Sequence, residues 1–344
     1  MTMFFKFFVK RYLPALFILV FTWNAGAESV VKPIATGGGS GTAREPKPVF
    51  PQALFTSYLK ARDAEDAARP YWVESEAESN ALKFASPKES LLLNNDILAF
   101  YGHPRSKNMG ILGRYTKAEL KDMLNSLAAE YEEAGGRKIS KAFYIIFGTA
   151  WPEGEIGIIQ ESLLREYVEF ALENNMLVFI DHQIGRFTPE DSLKTMLHWL
   201  KYPNVHLALD PEWRTTKPMV EIGAVSADEI NRVQRIMEDY MIENQILGER
   251  LLVIHQFNYY MISNRERVLS NFSKVRLVHC ADGFGSPPVK RSSYAHNAQA
   301  ANIPVKGFKL FYNFDIPGAG YDSPLLTPRE VFQLNPRPYI VMYQ

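Results

Sequence analysis

From residue 95 onward, short apolar runs alternate with stretches whose apolar residues recur at helical spacing. The runs cover 97–101, 142–147, 177–180, 205–209, 251–254, 275–278, 308–312 and 339–342, eight in all. Each is short, rich in β-branched or aromatic residues, and mostly apolar at consecutive positions, as strands covered on both faces require. Helix-start signals fall between them. Thr116 is followed three residues on by Glu119, and Ser226 by Glu229, both in the pattern of a capping box. Thr188-Pro189 and Thr327-Pro328 put proline at the first helical position after a capping threonine. Stretch 226–243 gathers Ile230, Val233, Ile236, Met237 and Tyr240 on one face, and stretch 159–174 gathers Leu163, Leu164, Tyr167, Val168 and Ala171. These stripes face a core. Eight strand–helix alternations over roughly 250 residues predict a (β/α)8 TIM barrel spanning 94–344. An open doubly wound sheet is the alternative. No Gly-x-Gly-x-x-Gly follows the first run and no Walker-type phosphate loop occurs, so its nucleotide-binding versions lose ground.

The N-terminal part changes where the protein is expected to work. Residues 1–27 read as a signal peptide, with Lys6, Lys10 and Arg11, an apolar run over 13–23, and the small-residue cleavage pattern Ala25-Gly26-Ala27. The run is short for a membrane span. An uncleaved anchor is the alternative, and would be the only link to a membrane. Residues 28–50, with Gly37-Gly-Gly-Ser-Gly41, read as a flexible linker, and 51–93 as an extension that packs on the barrel. The expected location is secreted or periplasmic. The single cysteine, Cys280, rules out an intrachain disulfide and sits within an apolar run, so it is expected to be buried and inert. With 38 basic and 38 acidic residues the net charge is zero, which argues against a general nucleic-acid partner.

Chemistry is concentrated where the strands end. The fourth run stops on Asp210, because Pro211 cannot continue a central strand, and Glu212, Trp213 and Arg214 follow at once. In a barrel, that end of the strands carries the active site. The other runs lead into Tyr101 and His103, then Trp151, then Asp181-His182-Gln183, then His255-Gln256, then His279 and Asp282. The seventh holds Lys309 and ends on Tyr312. Two chemistries fit. In glycoside hydrolysis, two carboxyls flank the scissile bond. Glu212 is the expected acid, since Asp210 beside it raises its pKa by like-charge repulsion. Asp181, Asp210 or Asp282 supplies the second carboxylate. Tyr101, Trp151, Trp213, Phe284 and Tyr312 offer flat faces for sugar rings, and His103, His182, Gln183, Arg214, His255, Gln256, His279 and Lys309 offer polar contacts. The partner would be a carbohydrate or cell-envelope polymer, with no cofactor. In metal-assisted hydrolysis, His103, His182, His255 and His279 would join Asp181, Asp210 and Asp282, although no His-x-His or His-Glu-x-x-His pair is present. A non-catalytic glycan-binding barrel is the third class.

Four motifs occur in order: Leu207-Ala-Leu-Asp-Pro-Glu-Trp-Arg214, Val253-Ile-His-Gln-Phe257, Asp282-Gly-Phe-Gly285 and Pro338-Tyr-Ile-Val-Met-Tyr-Gln344. Together they resemble a family of secreted bacterial proteins with a glycosidase-type TIM barrel and no assigned activity. The resemblance covers residues 95–344 and implies a barrel and export, without implying a substrate. Asp210-Pro-Glu212 also resembles the Asp-x-Glu of chitinase-like barrels. Val205, His206 and Ala208 stand where that motif has further acids, so substrate-assisted chemistry is not implied.

Overall fold

The computed structural model describes residues 90–344, apart from Gly136 and Glu153. The expected signal peptide, the linker and all but the last residues of the extension lie outside the described residues. Eight parallel strands form the barrel: β1 (Asn95–Gly102), β2 (Lys138–Ala150), β3 (Leu177–Gln183), β4 (Val205–Asp210), β5 (Arg250–Gln256), β6 (Val275–Ala281), β7 (Val305–Leu310) and β8 (Ile340–Tyr343). Each pairs with the next in chain order, and β8 pairs back onto β1, with Ile97 opposite Ile340. The sheet therefore closes into the (β/α)8 TIM barrel. Among the described residues no helix is long and apolar enough to cross a membrane.

Among the described residues six helices lie between the strands, and four of them start on a side-chain cap, at Thr116, Thr188, Ser226 and Thr327. The six are α1 (Lys117–Gly135), α2 (Glu161–Glu173), α3 (Pro189–Met196), α4 (Ala227–Glu243), α5 (Pro287–Ala298) and α6 (Pro328–Phe332). Thr116 and Glu119 exchange capping bonds at 2.8 and 3.3 Å, and Ser226 and Glu229 do so at 2.8 and 3.2 Å. These satisfy amides that a helix start leaves orphaned. The regular alternation fails once. Between β5 and β6 the chain makes two 3-10 turns, Tyr259–Met261 and Arg265–Arg267, and between them a short strand, Ile262–Ser263, that pairs with Val225–Ser226, instead of an α-helix.

The seventh strand also differs from its expected position. It spans Val305–Leu310 rather than 308–312, because Lys306 and Gly307 interrupt the apolar run without leaving the ladder. Lys306 spends its charge on helix-end carbonyls, donating to Asn297 and Ala300 at 2.8 Å.

Side chains alternate between two apolar cores. One lies inside the barrel and includes Ile97, Ala99, Tyr101, Tyr144, Phe179, Val253, Cys280 and Met342. The larger one lies between sheet and helices and includes Phe100, Phe143, Ile180, Leu207, Ile254 and Phe308. Cys280 is buried in the inner core, and its thiol is pushed up by burial. This two-face alternation decides which strand-end residues can meet: only those of inward parity reach the mouth.

Two features shape the mouth. At Ile146–Gly148 the register of β2 against β3 shifts, and β2 runs on past the barrel to pair antiparallel with Ile156–Ile158. Gly148 lies so close to the His182 ring that a Cβ there would sit 2.9 Å from it. The turn of this hairpin bonds to the chain after β3, where Arg186 N donates to Gly154 O at 3.0 Å.

Candidate active site

Five strands deliver inward-facing polar groups to one place. Asp181 comes from β3, Asp210 from the last position of β4, His255 from β5, Asp282 from just beyond β6, and Lys309 from β7. All five are buried. His255 is at the centre, with Nδ1 3.0 Å from Asp282 Oδ2 and Nε2 3.8 Å from Asp181 Oδ2. Nε2 is also 2.8 Å from the Tyr144 hydroxyl. Tyr101 donates to Asp181 Oδ2 at 2.9 Å, and Lys309 Nζ lies 3.2 Å from Asp282 Oδ1 and 3.8 Å from the centre of the Tyr101 ring. Trp213 Nε1 donates to Asp210 Oδ2 at 3.1 Å. The other oxygens of Asp181 and Asp210, both Oδ1, are buried with no hydrogen-bond partner among the described residues.

The four acids are driven in different directions. Burial raises Asp210 to about 7, and Asp282 and Asp181 add to it, against the opposing charges of His255 and Lys309. Glu212, half-buried, is pushed well above the usual carboxyl range by desolvation, then by Asp210 and Asp282. Asp282 goes the other way: burial works to raise it, yet Lys309 and His255 hold it down at about 2. Asp181 is raised by burial, which outweighs His255, Lys309 and the Tyr101 hydroxyl. Burial lowers His255, but Asp282 and Asp181 overcome it and hold the ring well above its usual pKa. The surroundings thus favour the anion at Asp282, the cations at His255 and Lys309 and the protonated form at Glu212 and Asp181, with Asp210 titrating at about 7.

Other strand-end residues go elsewhere. Gln183 shares the inward parity, and its Oε1 accepts from Ala150 N at 2.9 Å. His182, Gln256 and His279 face the helix layer. His182 lies against Phe147 and is lowered by burial to about 4. His279 Nε2 is 2.7 Å from Gln256 Oε1, which also accepts from Arg265 at 3.1 Å. Arg214 turns to α4, holding Glu229 at 2.6 and 2.9 Å and Ala224 O at 3.0 Å. Tyr312 stacks on Tyr343 at 5.2 Å in the outer core. His103 lies in the loop after β1, where its Nδ1 accepts from Arg105 N at 3.2 Å. Trp151 is 54% exposed and lays its indole edge over Gly157 of the hairpin. Of the four histidines in the metal alternative only His255 reaches the cluster, and among the described residues no three His, Cys, Asp or Glu side chains are arranged to hold a metal ion.

Tyr144 belongs to the site and is not marked by the ends of the apolar runs, because it lies within β2. Its signal is parity: Ala142, Tyr144 and Ile146 face inward together, and a hydroxyl among them needs a partner.

No family model matches the chain, and no curated protein matches it. Among solved structures it is similar to an oxaloacetate acetylhydrolase in complex with the product oxalate, at 14% identity and TM-score 0.42, covering 78% of this chain and 80% of that one. It is also similar to the GH18 chitinase ChiB from the chitin utilization locus of Flavobacterium johnsoniae, at 10% identity and TM-score 0.40, covering 73% and 87%. A third is a GH138 enzyme targeting pectin rhamnogalacturonan II, at 8% identity and TM-score 0.37, covering 72% of this chain and 34% of that one.

Proposed function

We propose that the protein is a glycoside hydrolase-like enzyme that cleaves a carbohydrate or cell-envelope glycan, with Glu212 as the acid and Asp210 as the second carboxylate. One observation carries this reading. Asp210, at the last position of β4, and Glu212, two residues on, stand at the barrel mouth beside the buried Asp282–His255–Lys309 ion cluster. These surroundings drive the acids apart, with Asp210 raised to about 7, Glu212 raised well above its usual range and Asp282 held at about 2. Titratable groups separated in this way mark acid and base roles.

In the proposed reaction Glu212 donates its proton to the glycosidic oxygen as the C–O bond breaks. Asp210, ionised, meets the positive charge developing at the anomeric carbon or takes a proton from the attacking water. His255 and Lys309 favour the ionised form of Asp210. Trp213, bonded to Asp210, puts a flat half-buried face beside the same carboxylate, suited to stacking on a sugar ring. Export through residues 1–27, and the likeness of the four motifs to secreted bacterial proteins, fit a polymer outside the cytoplasm.

The test is release of reducing ends from a panel of polysaccharides and cell-wall preparations. Glu212→Gln and Asp210→Asn should each lower kcat by about 10²–10⁴-fold with unchanged circular dichroism. Wild-type turnover in both variants would refute the assignment. Binding on a glycan array without hydrolysis would point to a binding barrel.

A further inference from the structure

Helix α5 has a lysine where two penalties coincide. Lys290 lies in the first turn, next to the positive end of the helix dipole, and is 1% exposed. Its ammonium is nonetheless fully used. Three N–H groups meet three acceptors: the Gly283 carbonyl in a close contact, the Lys309 carbonyl at 2.5 Å, and Asp322 Oδ2 at 3.3 Å. Gly283 directly follows Asp282, and Lys309 is the ion partner of Asp282 at 3.2 Å. Asp322 completes the grip. Its Oδ1 accepts from Gly285 N at 2.9 Å and its Oδ2 from Phe311 N at 3.0 Å, while its own amide donates to Phe311 O at 2.9 Å. One buried ammonium and one buried carboxylate thus hold the backbone on both sides of the Asp282–Lys309 pair.

A buried ion pair is weak grounds for stability, since apolar groups of similar volume often do as well. What the pair fixes is a better account of it. We propose that Lys290, with Asp322, is a positioning residue: it sets the geometry of the Asp282–Lys309 pair, and through Asp282 the protonation of His255. The activity part of this inference rests on the hydrolytic reading of the site; the protonation part does not.

His255 is faced by Asp181 from β3, Asp282 from beyond β6, Tyr101 from β1, Tyr144 from β2 and Cys280 from β6, with Asp210 and Glu212 also in its field and Lys309 on the other oxygen of Asp282. If Asp282 drifts, the imidazolium loses its nearest anion. The test is the charge-balanced double variant Lys290→Met/Asp322→Asn, with His255 followed by its NMR ring-proton titration, assigned by loss of the signal in His255→Gln. A cooperative melt shows that the variant folds. The His255 proton affinity is then expected to fall by about tenfold or more. On a hydrolysed glycan, kcat should fall by about 10²-fold with KM changed by less than about threefold, because the remote contacts to substrate are intact. If the double variant does not melt cooperatively, the equally charge-balanced Lys290→Gln/Asp322→Asn pair, which keeps a polar group at both positions, carries the same comparison. A folded variant with the wild-type His255 titration overturns the proposal. Absence of wild-type activity on any glycan would instead sink the hydrolytic reading, and the titration would still decide the clamp.

Discussion

Asp210 links activity and stability in opposite directions. Its folded pKa is raised from 3.8 to about 7. A group raised on folding favours the fold fully below its unfolded pKa, and that contribution is lost as pH rises through the folded value. Asp210 therefore costs stability as pH climbs from about 4 to about 7. Asp282, held at about 2, does the reverse and loses its contribution as pH falls from 3.8 towards 2. Asp210→Asn should accordingly raise the Tm at pH 8 by several degrees and leave it nearly unchanged at pH 4, as differential scanning calorimetry would show. An equal shift at both pH values would mean that the ionised carboxylate carries no burial cost. The kcat profile of the wild type should rise through about pH 7 as Asp210 ionises and fall at higher pH as Glu212 loses its proton. A profile with no rise through about pH 7 would contradict the role of Asp210, and one with no alkaline limb that of Glu212.

At the scale of elements, the loop after β4 depends on a brace. Arg214 bonds Glu229 twice and Ala224 O once, and Gly223 N donates to Glu212 O at 2.6 Å, so the segment carrying the acid is tied to the start of α4. Arg214→Ala should cost about 1–2 kcal/mol in a urea melt, allowing for partial exposure of the ion pair, and should also lower kcat because Glu212 and Trp213 lose their anchor. A loss of stability with unchanged kcat would confine Arg214 to capping. Elements are also where sequence is most and least informative. The capping residues at Thr116, Thr188, Ser226 and Thr327 and all eight strands are visible in it, because caps and apolar runs are local. The inward direction of His255 rather than Gln256, or of Asp181 rather than His182, is not. Both faces of a barrel strand are apolar, so hydrophobicity does not tell the two parities apart. Lys290 and Asp322 are hidden for another reason: a lysine after a diproline looks like a solvated helix start until the tertiary fold buries it.

For the whole molecule, the step that makes a barrel from a sheet is the β8–β1–β2 junction. There Asp96, buried at the start of β1, lies 3.0 Å from Arg137 Nε just before β2 and in close contact with Arg337 just before β8. One carboxylate thus laces the three strands at which the ring closes. Asp96→Ala should destabilise the protein by about 2–3 kcal/mol, below the full cost of breaking a buried pair because both arginines are partly exposed. Denaturant melts would measure it, and the His255 titration should not move, since Asp96 is at the opposite end of the strands from the site. A shift of that titration would mean that the two ends of the barrel communicate.

The missing helix between β5 and β6 has a consequence at this same scale. Behind the other connections between strands, exposing the back of a strand means undocking a helix. Here it means peeling away the 257–274 connection, which is held by the pairing of Ile262–Ser263 with Val225–Ser226 and by the buried side chains of Ile262, Val268 and Phe272, and beneath which Gln256, His279 and Lys306 set polar groups within the apolar packing. The two staves behind this thin panel carry His255 and lead into Asp282. Loosening of this panel would therefore reach first the imidazole and carboxylate that set the charge of the mouth, and next β4, the neighbouring stave at whose end the acid pair stands.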